Sequence, residues 1–321
     1  MDNNNLNFAG NNPGHKKGPL ANVSPAVFIF ISLSAVFFLF QIIGGAITYM
    51  FFGADMDLNP ENVGITRLIL TFAQFMFILF PSIILVMLQD NNLKETFRLK
   101  KPKMSVFLFA VLGILVIQPF LQVYMYYQNE LIFNLPFGKE FITQLKELFD
   151  TLESTTEKLV TANSVPEFIM IVVVIAVTPA ICEEFLFRGL VFKNFEKMIP
   201  ASKAIFFTGL LFALFHFHPF NLIPLTVLGI FLTLVVYHSG SIYTAVVCHF
   251  LNNFISALAV FIYGKDSFGT DTASNMTSEE QLQFLILGVI SLSIFIFTVI
   301  MIRKFSVMKD QSINYPAADN E

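Results

Sequence analysis

Long apolar runs separated by polar breaks organise this chain, and most of the runs are long enough to be membrane spans. About eight are predicted, over residues 24–52, 66–89, 104–128, 166–190, 201–218, 220–238, 241–263 and 281–302. A helix needs roughly 20 apolar residues to cross a hydrocarbon core of about 30 Å. The longer breaks are ADMDLNPEN, DNNLKETFRLKKPK, the 129–165 segment and DSFGTDTASNMTSEE. The breaks at His218–Phe220 and at HSGS (238–241) are so short that they predict hairpins between neighbouring helices. The expected fold is therefore all-α: a polytopic membrane domain over 24–305. An Asn-, Gly- and Pro-rich N-terminal tail (1–23) and a C-terminal tail (306–321) are expected to be disordered.

One polar break carries its own periodicity. In FGKEFITQLKELFDTLESTTEKLV, Phe141, Leu145, Leu148, Phe149 and Leu152 recur at helical spacing. That pattern predicts an amphipathic helix lying on the membrane surface, serving as a cover or as a lid over a substrate path.

Composition agrees with the spans. Apolar residues make up 55% of the chain, charged residues only 13%, and phenylalanine alone contributes 40 positions. No ordinary water-soluble domain has this balance. The first run is too long for a signal-peptide core and reads as a retained span. A net charge of -4 says little about partners, and the chain has no basic block of nucleic-acid type. Cys182 and Cys248 both fall in apolar runs and read as buried small hydrophobes rather than a disulfide or ligands.

Lysine and arginine set the orientation. With the N-terminus in the cytoplasm, fourteen of the nineteen basic residues fall on inner segments. Both termini are thus expected to be cytoplasmic.

Against this background, two carboxylates stand out in IAVTPAICEEFLFRGLVF (175–192). An ionised group at membrane depth costs about 2.5–3.5 kcal/mol by insertion scales, so it needs a partner and marks a functional site by default. Glu184 and Arg188 are four apart on one helix face and are expected to pair. Glu183 points about 100° away and is left free for chemistry. His216 closes FALFH, with Phe212 one turn before it, while His249 and Asn253 share a face in CHFLNN. His218 and His238 lie at span ends and read as interfacial.

The fourth, fifth and seventh spans are expected to enclose a polar active-site cavity, in which a carboxylate, two imidazoles and a carboxamide suit activation of water against a carbonyl. Glu183 would take the proton, His216 would hold the water, and His249 with Asn253 would face the developing oxyanion. The same atoms admit a zinc assignment, with Glu183, His216 and His249 as a His₂Glu set. That site would lack a separate base if Glu184 is committed to Arg188. No HExxH, GxSxG or phosphate-binding glycine loop is present.

EEFLFRG (183–189), FALFH (212–216) and HFLNN (249–253) together resemble the CPBP family, the CAAX-protease and bacteriocin-processing (Abi-type) intramembrane endopeptidases. The resemblance covers about 165–260. It implies that Glu183 and Glu184 are the paired-glutamate motif, Arg188 its arginine, and His216, His249 and Asn253 the remaining site residues. It also implies a hydrolase acting on a membrane-associated peptide, whether prenylated, leader-bearing or signal-like. The cofactor is either none or Zn2+. The expected location is a bacterial inner (cytoplasmic) membrane, with the lipid bilayer and a peptide substrate as partners and no nucleic acid. Two rival readings use the same fold: a catalytically inactive scaffold, regulator or immunity protein, and a transporter with a proton-relay glutamate. The transporter reading is weakened by the lack of an inverted repeat.

Overall fold

A computed structural model describes residues 18–52, 60–134, 138–264 and 276–307. The helices are α1 (Pro25–Phe51), α2 (Asn62–Leu88), the single turn α3 (Leu93–Thr96), α4 (Met104–Ile132) and α5 (Lys139–Val160), followed by α6 (Val165–Phe195), α7 (Ala201–Phe215), α8 (Pro219–Ser239), α9 (Ile242–Tyr263) and α10 (Ser278–Lys304). Among the described residues there is no strand. The protein is all-α and polytopic, as its apolar runs predict.

Seven of these helices are long and apolar enough to cross a membrane; α7 is not. The run at 201–218 reads as a full span, but its helix has only 15 residues, roughly 22 Å at 1.5 Å per residue. Apolar side chains continue past its end, so composition hides the stop. The backbone makes it: Phe217 turns to a φ of 51°, and Pro219 follows. The extended His218 then accepts the Asn221 N–H on Nδ1 at 3.2 Å and opens α8.

Polarity is arranged inside out relative to a soluble protein. Large apolar side chains such as Phe30, Met50, Leu68, Leu131, Ile286 and Ile300 face outward, whereas Ser32, Thr178, Glu184, Arg188, Thr233 and His249 are buried. Lipid accepts the first group, and the second must find partners within the bundle.

Close backbone approach sets part of the packing. Gly209 of α7 lies on Gly229 of α8. A Cβ on Gly209 would stand 2.5 Å from the Ile230 nitrogen, and one on Gly229 would stand 2.7 Å from the Gly209 carbonyl oxygen. Small residues at a crossing are the usual means by which membrane helices come this close. Gly189, which ends EEFLFRG, has the Phe97 ring against it, and a Cβ there would be 2.2 Å from Phe97 Cδ1.

The ends of α6 and α9 are held by one polar cluster. Arg98 Nη2 reaches both carboxylate oxygens of Glu196 at 2.6 Å, and Gln89 donates to Asn194 at 2.9 Å. Ser241 donates to the Lys100 carbonyl at 2.5 Å, and Ile242 N–H to the Arg98 carbonyl at 3.3 Å. The loop before α4 thereby clamps the two helices that carry the glutamates and His249.

The expected amphipathic helix exists as α5. Its last turn is tied to α2, where buried Arg67 donates to the Leu159 and Thr161 carbonyls at 2.8 and 2.7 Å. A cation at a helix C-terminus also matches the negative end of its dipole. Phe149, midway along α5, packs on the His218 ring at 4.8 Å and the Phe220 ring at 6.0 Å.

Residues 18–23 and 306–307, expected within the two tails, are joined to the helices. Leu20 N–H donates to the Leu88 carbonyl at 3.0 Å, and Val307 N–H to the His238 carbonyl at 3.0 Å. His238 also meets the Ser306 hydroxyl at 2.9 Å. Residues 1–17 and 308–321 lie outside the described residues.

Candidate active site

α6 is not a uniform α-helix. Wider π-helical turns run over Val172–Val177 and Phe185–Val191, on either side of Thr178–Glu184. Such bulges recur at functional sites because they redirect side chains and free carbonyls. Pro179 adds to this, since it has no N–H to offer to the turn before it. Side chains from two other helices take the exposed oxygens: Gln74 donates to Val174 at 3.4 Å and Asn253 to Ile175 at 2.9 Å.

α6 also runs beyond residue 190, to Phe195. Glu183 and Glu184 then lie well inside the helix, level with the end of α7.

Glu184 is fully buried and its Oε1 accepts twice. Arg188 Nη1 donates at 2.7 Å and His249 Nδ1 lies at 2.8 Å. The second guanidinium arm, Nη2, donates to the Gly229 carbonyl at 3.2 Å, and the guanidinium carbon sits 4.5 Å from the centre of the Phe212 ring. The predicted Glu184–Arg188 pair is therefore present. His249, 65 residues away in sequence, joins it.

Glu183 has a different environment. His216 Nε2 stands 3.9 Å from Glu183 Oε2, beyond hydrogen-bonding distance. Among the described residues that oxygen has no hydrogen-bond partner. The two side chains keep 19% and 33% exposure, against zero for Glu184 and Arg188. His216 Nδ1 is 2.8 Å from the Phe212 carbonyl, one turn back. A carbonyl only accepts, so Nδ1 carries the hydrogen, and a neutral ring then presents a bare Nε2 toward Glu183.

Asn253 binds the glutamates' helix rather than either glutamate. Its Nδ2 donates to the Ile175 carbonyl, and its Oδ1 accepts from Asn252 Nδ2 at 3.1 Å. Asn252 Oδ1 in turn accepts from Gln118 Nε2 of α4 at 3.0 Å. Gln118 falls outside the sequence motifs, and its only signal is polarity inside an apolar run, beside Pro119. Cys182 and Cys248 are free and buried, as expected.

A zinc site was an alternative for Glu183, His216 and His249. His249 and His216 each turn Nδ1 to an acceptor, Glu184 and the Phe212 carbonyl, and so keep Nε2 free, as ligating imidazoles do. Among the described residues no three His, Cys, Asp or Glu side chains form a group that could hold a metal ion.

No curated protein and no solved structure matches the chain significantly. A family model does. Residues 165–255 match the Rce1-like type II CAAX prenyl endopeptidases, and this stretch holds both glutamates, Arg188, His216, His249 and Asn253, so the likeness that its three motifs imply is to that family.

Proposed function

We propose that the protein is a CAAX-type intramembrane endopeptidase that cleaves a peptide bond with water activated by Glu183. One observation carries the reading. A carboxylate oxygen without a hydrogen-bond partner among the described residues faces an imidazole nitrogen at 3.9 Å, inside a bundle of apolar helices. In this reading a water molecule donates to both groups.

In this reading Glu183 takes a proton from the water, and the resulting hydroxide adds to the scissile carbonyl carbon. The oxyanion is met by the second Nδ2 hydrogen of Asn253 and by His249. Because His249 gives its Nδ1 hydrogen to Glu184, it donates through Nε2 only as an imidazolium, which the shared Glu184 carboxylate holds by a charge-assisted hydrogen bond. Protonated Glu183 then delivers its proton to the amide nitrogen as the C–N bond breaks. Such preorganised donors are worth most where water is scarce. Metal analysis of the purified protein tests the metal-free reading, which stoichiometric zinc whose removal abolishes activity would overturn.

Substrates of this chemistry are prenylated, leader-bearing or signal-like peptides held at the membrane. The Lys and Arg asymmetry supports cytoplasmic termini. A scaffold of the same fold would need the Glu184–Arg188–His249 tie, but it has no use for Glu183 facing His216 without a bond. Comparative peptidomics of cells carrying wild-type or Glu183→Ala protein tests the proposal. Terminal fragments should disappear in the variant, and identical peptidomes would overturn it.

A further inference from the structure

Three carboxamides form a chain from α4 to α6. Gln118 Nε2 donates to Asn252 Oδ1 at 3.0 Å, Asn252 Nδ2 to Asn253 Oδ1 at 3.1 Å, and Asn253 Nδ2 to the Ile175 carbonyl at 2.9 Å. Gln118 Nε2 also donates to the Ile114 carbonyl at 3.0 Å. We infer that Gln118 is a positioning residue that fixes which way round the Asn253 amide sits, an inference that rests on the hydrolytic reading above.

A primary amide can be turned over, exchanging its oxygen for its nitrogen, so its direction has to be set by its partners. Here both ends of the chain are backbone carbonyls, which only accept. Ile175 obliges Asn253 to present Nδ2, so Asn253 Oδ1 faces Asn252. Asn252 must then present Nδ2, which leaves its Oδ1 in need of a donor from α4. Gln118 supplies that donor, and the Ile114 carbonyl keeps Gln118 the right way round. Two acceptor-only anchors on different helices thus impose one polarity on all three amides. The Ile175 anchor exists because Pro179 offers no N–H to that turn.

The consequence falls on Asn253. One Nδ2 hydrogen is used by Ile175, and the second is left for a developing oxyanion. Remove Gln118 and the Asn252 amide loses its anchor. With Ile175 as the one anchor left, the Asn252 amide is free to turn over part of the time, and each turn sets its oxygen against Asn253 Oδ1 and loosens the Asn253 amide. Gln118 lies outside the 165–255 family match, so α4 contributes to the chemistry of a site built on α6, α7 and α9.

The test uses the full-length protein in lipid nanodiscs, with a synthetic farnesylated CAAX peptide as probe. Gln118→Leu should lower kcat roughly tenfold with KM within about twofold, a fraction of the 10²–10³ lost when an oxyanion donor is removed. The double variant Gln118→Leu/Asn253→Ala should be no slower than Asn253→Ala alone. Losses that multiply in the double variant would assign Gln118 a purely structural role and overturn the inference. A second readout is independent of activity. In protein labelled with 15N at asparagine, Gln118→Leu should shift the Asn252 and Asn253 side-chain amide resonances and speed their exchange, and unmoved resonances would also overturn it. If Glu183→Ala cleaves the probe as wild type does, the protease reading fails while the resonances still decide for or against Gln118. They decide likewise if the wild-type protein leaves the probe intact.

Discussion

Glu183 and Glu184 are covalent neighbours in nearly opposite surroundings. Glu184 has Arg188 and His249 on one oxygen and no exposure. Glu183 has an imidazole at 3.9 Å and 19% exposure; Oε2 of each glutamate lacks a hydrogen-bond partner among the described residues, so exposure is what sets Glu183 apart. The cause is angular. Consecutive side chains on a helix diverge by about 100°, so one carboxylate enters the packed seam with α8 and α9 while the other faces the end of α7. The comparison teaches how a buried acid is kept available: its neighbour takes the cation. A lone glutamate beside Arg188 would be drawn into the pair.

The largest effect should come from the exposed member. Glu183→Gln keeps the shape but removes the base, so turnover should fall about 10²–10⁴-fold, while the thermal unfolding midpoint in detergent stays with wild type. An active Glu183→Gln protein would break the division of labour between the two acids.

Next in size is the buried member's partner. Arg188→Ala leaves Glu184 charged without its cation, and breaking a buried pair on one side costs about 3–5 kcal/mol. Thermal unfolding and expression level should both register that loss, and a variant as stable as wild type would show that Glu184 does not need Arg188.

The smallest effect is expected at the edge of the open side. Phe149 covers His218 and Phe220, two and four residues beyond His216. If α5 serves as the lid proposed from its periodicity, Phe149→Ala should change KM by about two- to threefold and leave kcat alone. A change in kcat instead would place α5 in the chemistry itself.

Much of this was legible from residues alone. Apolar runs of about 19 positions or more mark the seven long helices, and the i, i+4 spacing of Glu184 and Arg188 predicts their pair. Phe141 to Phe149 likewise announce the amphipathic α5. The length of α7 was not legible, because FALFHFHPF stays apolar through the point where Phe217 reverses the backbone. Nor was the partnership of His249 with Glu184, which depends on how α9 is seated against α6. The π-helical turns leave no mark on residue spacing, although Pro179 does announce a carbonyl in want of a donor. Gln118 could have been noticed as an amide in lipid, but its partner lies 134 residues on.

The stunted α7 brings the bilayer itself into the story. At roughly 22 Å against a hydrocarbon slab of about 30 Å, it leaves a shortfall of several ångströms on the flank where His216 sits. Acyl tails there must bend, thin or give way to headgroups and solvent. Membrane thickness thereby becomes a dial on how readily a hydrophilic reactant reaches Glu183, and the same polypeptide would run faster in short-chain lipids than in long-chain ones.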